Sequence, residues 1–401
     1  MRSWTLVALL WVAYFINYID RQVAFSVFPS LRQELGFTSA ELGFIGTIFT
    51  WVYSILMPFS GRLADIVRRE RIIVVSLTLW SLCTLGTSIS GSVREFFFWR
   101  AAMGVTESLY VPAALGLLAS VLPAKIRSRG LALHSTAQLT GIAAGGWFGG
   151  WAADALGWRS GFRILAGAGL VYAVVLGFTV ARFRLLKTAP TERSGSRPFD
   201  VIRSRCFLAL AVAFLLFCAV LWVLYAWLAN HIYEQFRLSM TQAGFTSMVF
   251  LQGSTAAGVL LGGFAGDRIT RSIPAGRLYV AAAGVILSAP FAYATFAAGS
   301  LSGAVASACS FGLFSGLMIS NIFAAAYDVV VPQNYGFSAG LLNLAGGLAG
   351  GAGILGAGLW KDSAGISAVI AFTGAAAVLA GIVLALVVVR WFPAEGRPAT
   401  A

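Results

Sequence analysis

Long apolar runs, separated by short polar stretches, make up almost the whole of this 401-residue chain. Each run has about 20 residues or more, enough for an α-helix to cross ~30 Å of hydrocarbon at ~1.5 Å per residue. Twelve runs are predicted, at 5–28, 42–62, 72–90, 94–121, 129–155, 160–183, 205–232, 241–265, 277–297, 300–326, 335–360 and 364–391. The pattern predicts an all-α membrane protein with 12 transmembrane helices.

A short motif occurs twice, 202 positions apart, and each copy lies at the end of an apolar run. A glycine is followed four positions later by an aspartate, as Gly61 and Asp65 in the first copy and as Gly263 and Asp267 in the second. Arginines come soon afterwards in both copies. The second half of the chain is therefore predicted to repeat the first. Internal repeats of membrane helices are typical of secondary transporters, whose substrate site lies at the repeat interface.

The longest polar connection lies between the sixth and seventh runs and is rich in proline, serine and arginine. This composition is typical of a linker. We predict an N-terminal six-helix half at 1–183, a linker at 184–204 and a C-terminal six-helix half at 205–401. Most of the lysines and arginines lie on the side of the termini and the linker, 20 of the 28. Because positive residues stay inside, both termini and the linker are predicted to face the cytoplasm.

Composition excludes several classes of function. Apolar residues make up 59% of the chain and charged residues 11%, whereas about a quarter of a soluble domain is charged. The net charge is +13, but the basic residues follow the predicted topology and indicate contact with bilayer lipids, not with nucleic acid. The sequence has no phosphate-binding Gly-x-x-x-x-Gly-Lys-[Ser/Thr] loop and no cluster with metal-ligand spacing. Neither ATP coupling, nor enzymatic activity, nor a bound metal is expected.

Ionisable residues inside the predicted helices are few, and they are concentrated in the first and fourth helices. The first contains Asp20 and Arg21, and the fourth contains Arg100 and Glu107, which share a face because they are seven residues apart. Buried charges in a membrane are costly and functional by default. We expect these residues to pair as Asp20 with Arg100 and Arg21 with Glu107. The alternative is a structural ion network that holds this half together.

The paired charges suggest how binding of a proton and an anion could be coupled. A carboxylate that loses its arginine to an anionic substrate takes up a proton more readily. Proton and anion then favour each other's binding. Arginine suits the anion clamp, because its guanidinium group donates two hydrogen bonds to a carboxylate and stays charged.

The two halves, the cytoplasmic termini and the repeated loop resemble the major facilitator superfamily over the whole chain. The family's loop between the second and third helices reads roughly Gly-x-x-x-Asp-Arg-x-Gly-Arg-Arg, although Ile66 and Arg68 depart from it here. Such loops can act as a conformational latch, whereas an ordinary surface salt bridge contributes less than ~1 kcal/mol. The predicted latch residues are Gly61, Asp65, Arg69, Arg71, Gly263, Asp267 and Arg268.

The first and fourth helices are similar to the anion:cation symporter branch of this superfamily, which carries sugar acids and related carboxylates, commonly with protons. The similar stretches are Asn17-Tyr18-Ile19-Asp20-Arg21, Arg100-x6-Glu107-x4-Pro112-Ala113 and Gly157-Trp158-Arg159-x2-Phe162. The resemblance implies Arg21 as an anion contact, Asp20 and Glu107 as proton sites, and Arg100 as the partner of Asp20. Spinster-like lipid transporters share part of this pattern, so a spinster-like lysolipid or drug exporter is the alternative.

Other polar and aromatic residues are candidates for substrate binding, although those of the C-terminal half could equally be helix contacts. They are Asn17, Tyr18, Gln22, Tyr110, Gln138, Tyr225, Trp227, Gln252, Asn321 and Asn343. His134, near the cytoplasmic start of the fifth helix, is predicted to be an interfacial histidine. The predicted protein is a monomeric, proton-coupled symporter of an organic anion in the bacterial inner membrane. The proton is its coupling ion and no other cofactor is expected.

Overall fold

The computed structural model describes residues 3–182, 198–331, 334–387 and 390, and nearly all of them are helical. The helices are α1 (Ser3–Ser26), α2 (Phe28–Leu35), α3 (Ser39–Ile66), α4 (Arg69–Ser88), α5 (Val93–Ser108), α6 (Tyr110–Val121), α7 (Ala124–Leu156), α8 (Trp158–Arg182), α9 (Arg205–Phe236), α10 (Met240–Thr270), α11 (Gly276–Ala297), α12 (Leu301–Val329), α13 (Tyr335–Ala364) and α14 (Ile366–Leu386). A 3₁₀ helix at Pro198–Arg203 precedes α9. Most of the predicted linker at 184–204 lies outside the described residues.

Each predicted apolar run corresponds to one long helix, except that the fourth run forms α5 and α6. Within the described residues, ten spans are long and apolar enough to cross a membrane by these criteria alone. The other two long helices, α1 and α7, are not among these ten spans. In α1 the charged pair interrupts the apolar run, and in α7 glycine, threonine, glutamine and histidine are interspersed among the apolar residues.

The fourth span is interrupted at Leu109, between α5 and α6. Pro112 accounts for the break, because it has no backbone N–H and its ring collides with the carbonyl of the residue four positions earlier, Ser108. The Ser108 hydroxyl lies 2.9 Å from that of Ser60 and so links this region to α3. The break places an irregular turn directly beside Glu107.

The described residues form two compact units. One comes from Met1–Glu192 and Ile232–Val249, and the other from Arg193–His231 and Phe250–Ala401. In the first unit, α1 packs on α7 and α4 packs on α8, while in the second α11 packs on α12 and α14. The predicted division of the chain at 183 and 205 stays a prediction.

Glycines of α7 allow α1 to approach closely within the first unit. A Cβ atom at Gly141 would lie 2.7 Å from the Cβ of Tyr18, and one at Gly145 would lie 2.8 Å from the Cβ of Gln22. Small residues commonly permit such contacts between membrane helices. This contact seats the polar segment of α1 against α7.

Candidate functional site

A buried salt bridge between α1 and α5 forms the centre of the candidate site. The Nε atom of Arg21 donates to Oε2 of Glu107 at 2.6 Å. The two side chains are only 6% and 0% exposed. The expected pairing of these two residues is therefore present.

Aromatic rings enclose the Arg21 guanidinium group. Its central carbon lies 4.8 Å from the ring centre of Tyr18, 4.9 Å from that of Phe49 and 4.4 Å from that of Tyr53. Cation–π contacts of this kind stabilise a desolvated guanidinium by up to ~2 kcal/mol each. Phe49 and Tyr53 were not predicted as site residues. Their spacing of four residues on α3 puts both rings on one face of the helix and could have indicated them, although such pairs are common in any packed helix.

The expected pairing of Asp20 with Arg100 is wrong. Among the described residues no ion pair joins them, and Oδ2 of Asp20 instead accepts a hydrogen bond from the hydroxyl of Thr84 on α4. Arg100 donates from Nη1 to the sulfur of Met103 at 3.1 Å and lies 4.8 Å from the ring centre of Phe49. The Asp20 carboxylate thus meets α4, whereas the Arg100 guanidinium packs on an aromatic ring of α3.

Several polar atoms of this cluster are buried without a hydrogen-bond partner among the described residues. They are both amide atoms of Asn17, Oδ1 of Asp20, Nη2 of Arg21, Nε and Nη2 of Arg100, and Oε1 of Glu107. Buried polar groups are normally satisfied, so each exception calls for an explanation. Guanidinium donors and carboxylate acceptors close together suit a ligand that carries an anionic group and hydroxyls. Among the described residues, no group of three or more His, Cys, Asp or Glu side chains could hold a metal.

Tyr110 and His134 belong to an aromatic cluster beside this site. The Tyr110 hydroxyl donates to the backbone oxygen of Leu10 at 2.7 Å and lies 3.4 Å from Nε2 of His134. The ring of Tyr14 stacks on that of His134 with centres 4.7 Å apart. His134 is only 1% exposed, and its place at the membrane interface stays a prediction. Packing against α1 and α6 encloses it.

The remaining candidates of the first unit lie along α1 and α7. Tyr18 and Gln22 are buried where α1 meets the glycines of α7, and Gln138 is partly exposed on α7. The structure therefore brings together the first-unit candidates of α1 and α5. Their roles in substrate and proton binding stay predictions.

The candidates of the second unit are uncharged, and two of them connect helices. Trp227 donates from its indole to the backbone oxygen of Ile354 at 3.1 Å, which ties α9 to α13. Asn321 donates to the backbone oxygen of Gly262 at 2.9 Å, which ties α12 to α10. These contacts fit the alternative that Trp227 and Asn321 hold helices together.

The other three second-unit candidates differ in exposure. Tyr225 and Gln252 are buried, and both side-chain amide atoms of Gln252 lack a hydrogen-bond partner among the described residues. Asn343 is exposed and donates to the backbone oxygen of Ala339 in its own helix at 2.9 Å. Of the two side-chain amides, that of Gln252 is buried and unsatisfied within the described part of the chain, whereas that of Asn343 is exposed and hydrogen-bonded.

The first copy of the repeated loop is joined to the fourth span by Arg69. Its guanidinium group donates to the backbone oxygen of Gly116 at 2.9 Å and to that of Ala64 at 3.1 Å. Arg71 is exposed. The position of the Asp65 side chain lies outside what the structure describes. A side chain at Gly61 would meet nothing within 4 Å, so packing does not require glycine there.

The second copy uses a different arginine from the one predicted. Asp267 pairs with Arg277, Nη2 to Oδ1 at 3.1 Å, and the same guanidinium group reaches Oδ1 of Asp328 on α12 at 3.0 Å. The predicted residue Arg268 is exposed. Arg277 lies in the first turn of α11, so it reaches back across the loop to the carboxylate. Gly263, like its counterpart in the first copy, has open space around it.

The sequence of the chain also matches a known family. The family model of the Major Facilitator Superfamily matches residues 10–354. This chain belongs to the Major Facilitator Superfamily. It is accordingly a multi-pass membrane transporter and not an enzyme, and the predicted all-α major facilitator fold is confirmed.

Two relatives match this chain at the same identity over most of its length. The "Probable sulfoacetate transporter SauU" of Cupriavidus necator is 27% identical over 381 residues, which cover 84% of this chain and 82% of that protein. "Protein spinster homolog 1" of Xenopus tropicalis is 27% identical over 326 residues, which cover 74% of this chain but 60% of that protein.

A solved structure has the same fold as this chain. It is the crystal structure of a bacterial homolog to the human lysosomal transporter Spinster, in an inward-facing and occupied conformation. The TM-score is 0.85 at 19% identity, over 100% of this chain and 99% of that one. At this identity the likeness shows the fold alone.

Proposed function

We propose that this transporter is a proton-coupled symporter of a small organic carboxylate, such as a sugar acid, and that it works by alternating access. The observation that carries the proposal is the buried pair of Arg21 and Glu107, 2.6 Å apart and surrounded by aromatic rings. A guanidinium group so placed is well suited to bind a carboxylate. The related protein named as a sulfoacetate transporter supports an organic anion as the substrate.

Charge balance in the site gives a reason for proton coupling. Two arginines and two carboxylates lie buried there, so the empty site is neutral when both acids are ionised. A bound monoanion would leave one uncompensated negative charge, which is costly at this depth. One proton on Glu107 or Asp20 restores neutrality. The expected stoichiometry is therefore one proton for a monoanion and two for a dianion.

The roles follow from the contacts. Arg21 binds the substrate anion and in doing so releases Glu107, which then takes a proton. Asp20 is a second proton site. Arg100 supplies positive charge and has no ion pair of its own among the described residues. Asn17 and Tyr18 lie beside Arg21 and contact hydroxyl groups of the substrate. The protein functions as a monomer in the bacterial inner membrane with both termini in the cytoplasm.

Uptake into proteoliposomes tests this function. Labelled sulfoacetate, D-galactonate and benzoate would be offered with an inward proton gradient and again with the gradient collapsed. We expect gradient-driven accumulation of at least one anion. Arg21→Gln abolishes its binding, and Glu107→Gln abolishes accumulation but retains exchange of labelled for unlabelled anion. Arg94→Gln, a change at an exposed arginine of α5, is the matched control and should transport normally.

The alternative function is that of a spinster-like exporter of a lysolipid or drug, and the similarity to a spinster homolog favours it. The same proteoliposomes can be loaded with lysophosphatidylcholine or with an amphiphilic dye. Outward movement of either probe, with no uptake of any carboxylate, would refute the symporter proposal.

A further inference from the structure

Thr84 of α4 is the hydrogen-bond partner of the Asp20 carboxylate, and neither residue is exposed to solvent. The same hydroxyl oxygen lies 3.0 Å from the backbone oxygen of Trp80, one turn earlier in α4. A hydroxyl group has one proton to donate and two lone pairs to accept with. The Thr84 hydroxyl can therefore donate to the carboxylate or to the backbone oxygen, but not fully to both.

This geometry provides a partner for Asp20 in both of its protonation states. An ionised carboxylate only accepts hydrogen bonds, whereas a protonated carboxyl group also donates one. When Asp20 is ionised, the Thr84 hydroxyl donates to it. When Asp20 has taken a proton from solution, its own O–H can donate to the Thr84 oxygen, and the threonine hydrogen turns to the Trp80 carbonyl. No buried donor or acceptor of the three groups is lost in the exchange.

We infer that Thr84 is the positioning residue of a proton site at Asp20, and that its hydroxyl reverses hydrogen-bond direction each time Asp20 gains or loses a proton. The inference rests on the proposed function, because it makes Asp20 a group that changes its protonation during transport. This role requires no contact between Thr84 and the substrate.

Glu107 has a partner of the opposite kind. The Arg21 guanidinium has only donors, so it matches an ionised Glu107 and leaves a protonated one without a proper acceptor. Glu107 therefore takes a proton after its arginine has moved to the anion, whereas Asp20 can take one with its partner in place. The two acids are thus predicted to be protonated at different stages.

The charges that act on Asp20 come from a small set of groups. They are Glu107 and Arg100 of α5 and its neighbour Arg21 on α1. Among the described residues, α4 contributes the hydroxyl of Thr84 and the thiol of Cys83 but no charged side chain. No titratable group of α6, α7 or α8 is among those that act on Asp20. A change at Thr84 therefore alters the hydrogen bonding of Asp20 without altering the charges around it.

Infrared spectroscopy of the full-length protein in lipid tests the inference without a substrate. The carbonyl stretch of a protonated carboxyl group would be followed against pH, and Asp20→Asn would identify the band of Asp20. Thr84→Ser should keep both the band position and its midpoint. Thr84→Val should displace the band and move the midpoint by about half to one pH unit to higher pH, since the charge-assisted bond to the carboxylate is the stronger of the two.

Thr87→Val is the matched control, because Thr87 is equally buried on α4 and donates to the backbone oxygen of Cys83 at 2.9 Å. It should leave the Asp20 band unchanged. Thr84→Ala takes the place of the valine variant if that protein does not fold. The inference is overturned if Asp20→Asn removes no titrating band, or if the valine and alanine variants titrate like the wild type.

Failure of the proposed function gives a different result. If no carboxylate is carried with protons but the Asp20 band still responds to Thr84, the symporter proposal falls and the hydrogen-bond switch stands. If uptake is proton-driven and the Asp20 band is the same in the wild type and the Thr84 variants, the hydrogen-bond switch is refuted and the symporter proposal stands.

Discussion

Replacing the members of the Arg21–Glu107 pair, singly and together, tests whether this contact is the energetic centre of the site. At 2.6 Å and an effective dielectric constant of about 20, the attraction of the two charges is about 6 kcal/mol. Desolvation offsets much of it. Removal of one partner leaves a buried charge, which typically costs about 3–5 kcal/mol. The double variant, Arg21→Gln with Glu107→Gln, removes both charges. It should lose much less stability than the sum of the losses in the two single variants.

The two single variants should respond differently to pH. In Arg21→Gln the buried Glu107 can escape the penalty by keeping a proton that it would lose in the unfolded chain at neutral pH. The folded state then binds one more proton, so stability falls as pH rises, by up to about 1.4 kcal/mol per pH unit. In Glu107→Gln the remaining arginine cannot lose its proton, and no such dependence is expected. The three rings around Arg21 reduce the cost of leaving it unpaired.

Thermal unfolding in detergent can be followed with a thiol-reactive dye, because Cys83, Cys206 and Cys218 are buried free cysteines that react on unfolding. With unfolding entropy of about 2.1 cal/mol/K per residue, a loss of 3–5 kcal/mol lowers Tm by about 4–6 °C in a chain of this length. Wild type and the three variants would be measured at pH 5, 6.5 and 8. Additive losses in the double variant, or equal pH dependence of both single variants, would refute the reasoning.

Three further outcomes are expected elsewhere in the molecule. Pro112→Ala supplies a backbone N–H that can donate to the Ser108 carbonyl, so Tm should rise. Straightening of the helix displaces the adjacent Glu107 and should lower uptake of the transported anion. Gly145→Ala should lower the unfolding free energy by about 1–3 kcal/mol, since the new Cβ meets α1 at 2.8 Å; Gly167→Ala, which meets nothing within 4 Å, should be neutral in the same dye assay. Arg277→Gln should reduce the transport rate but lower Tm by little, because its partners Asp267 and Asp328 are partly exposed. An equal effect of Arg268→Gln on the transport rate would contradict the assignment of Arg277 as the arginine of the second loop copy.

Much of the fold follows from the apolar pattern, because the length of a bilayer crossing constrains every helix in the same way. The hydropathy of α1 is low because its charges interrupt the run. It was predicted all the same, because the rest of the run is apolar. The break beside Pro112 was not predicted, although the proline is plain in the sequence. A proline within a membrane helix is often accommodated without a break, so the pattern alone does not decide.

The site was predictable at the level of residue types but not of partners. Helical spacing predicted that Arg100 and Glu107 share one face. The predicted pairing of Glu107 with Arg21 is present as a salt bridge. The partner of Asp20 depends on which neighbouring helix lies nearest, and a single threonine in an apolar run carries no signal of its own. Thr84 and Arg277 both became visible only from packing between helices.

The two copies of the repeated loop reach the fourth span of their own half with different acceptors, and this difference has a consequence for how mutations act on them. Arg69 binds the backbone oxygen of Gly116, which every amino acid would supply, but a Cβ atom at that position would lie 2.8 Å from Nε of Arg69 and displace it. Arg277 binds the side chain of Asp328, which a single substitution can delete. The N-terminal contact therefore depends on the absence of a side chain at Gly116, whereas the C-terminal one depends on a carboxylate that mutation can delete and whose attraction salt can weaken.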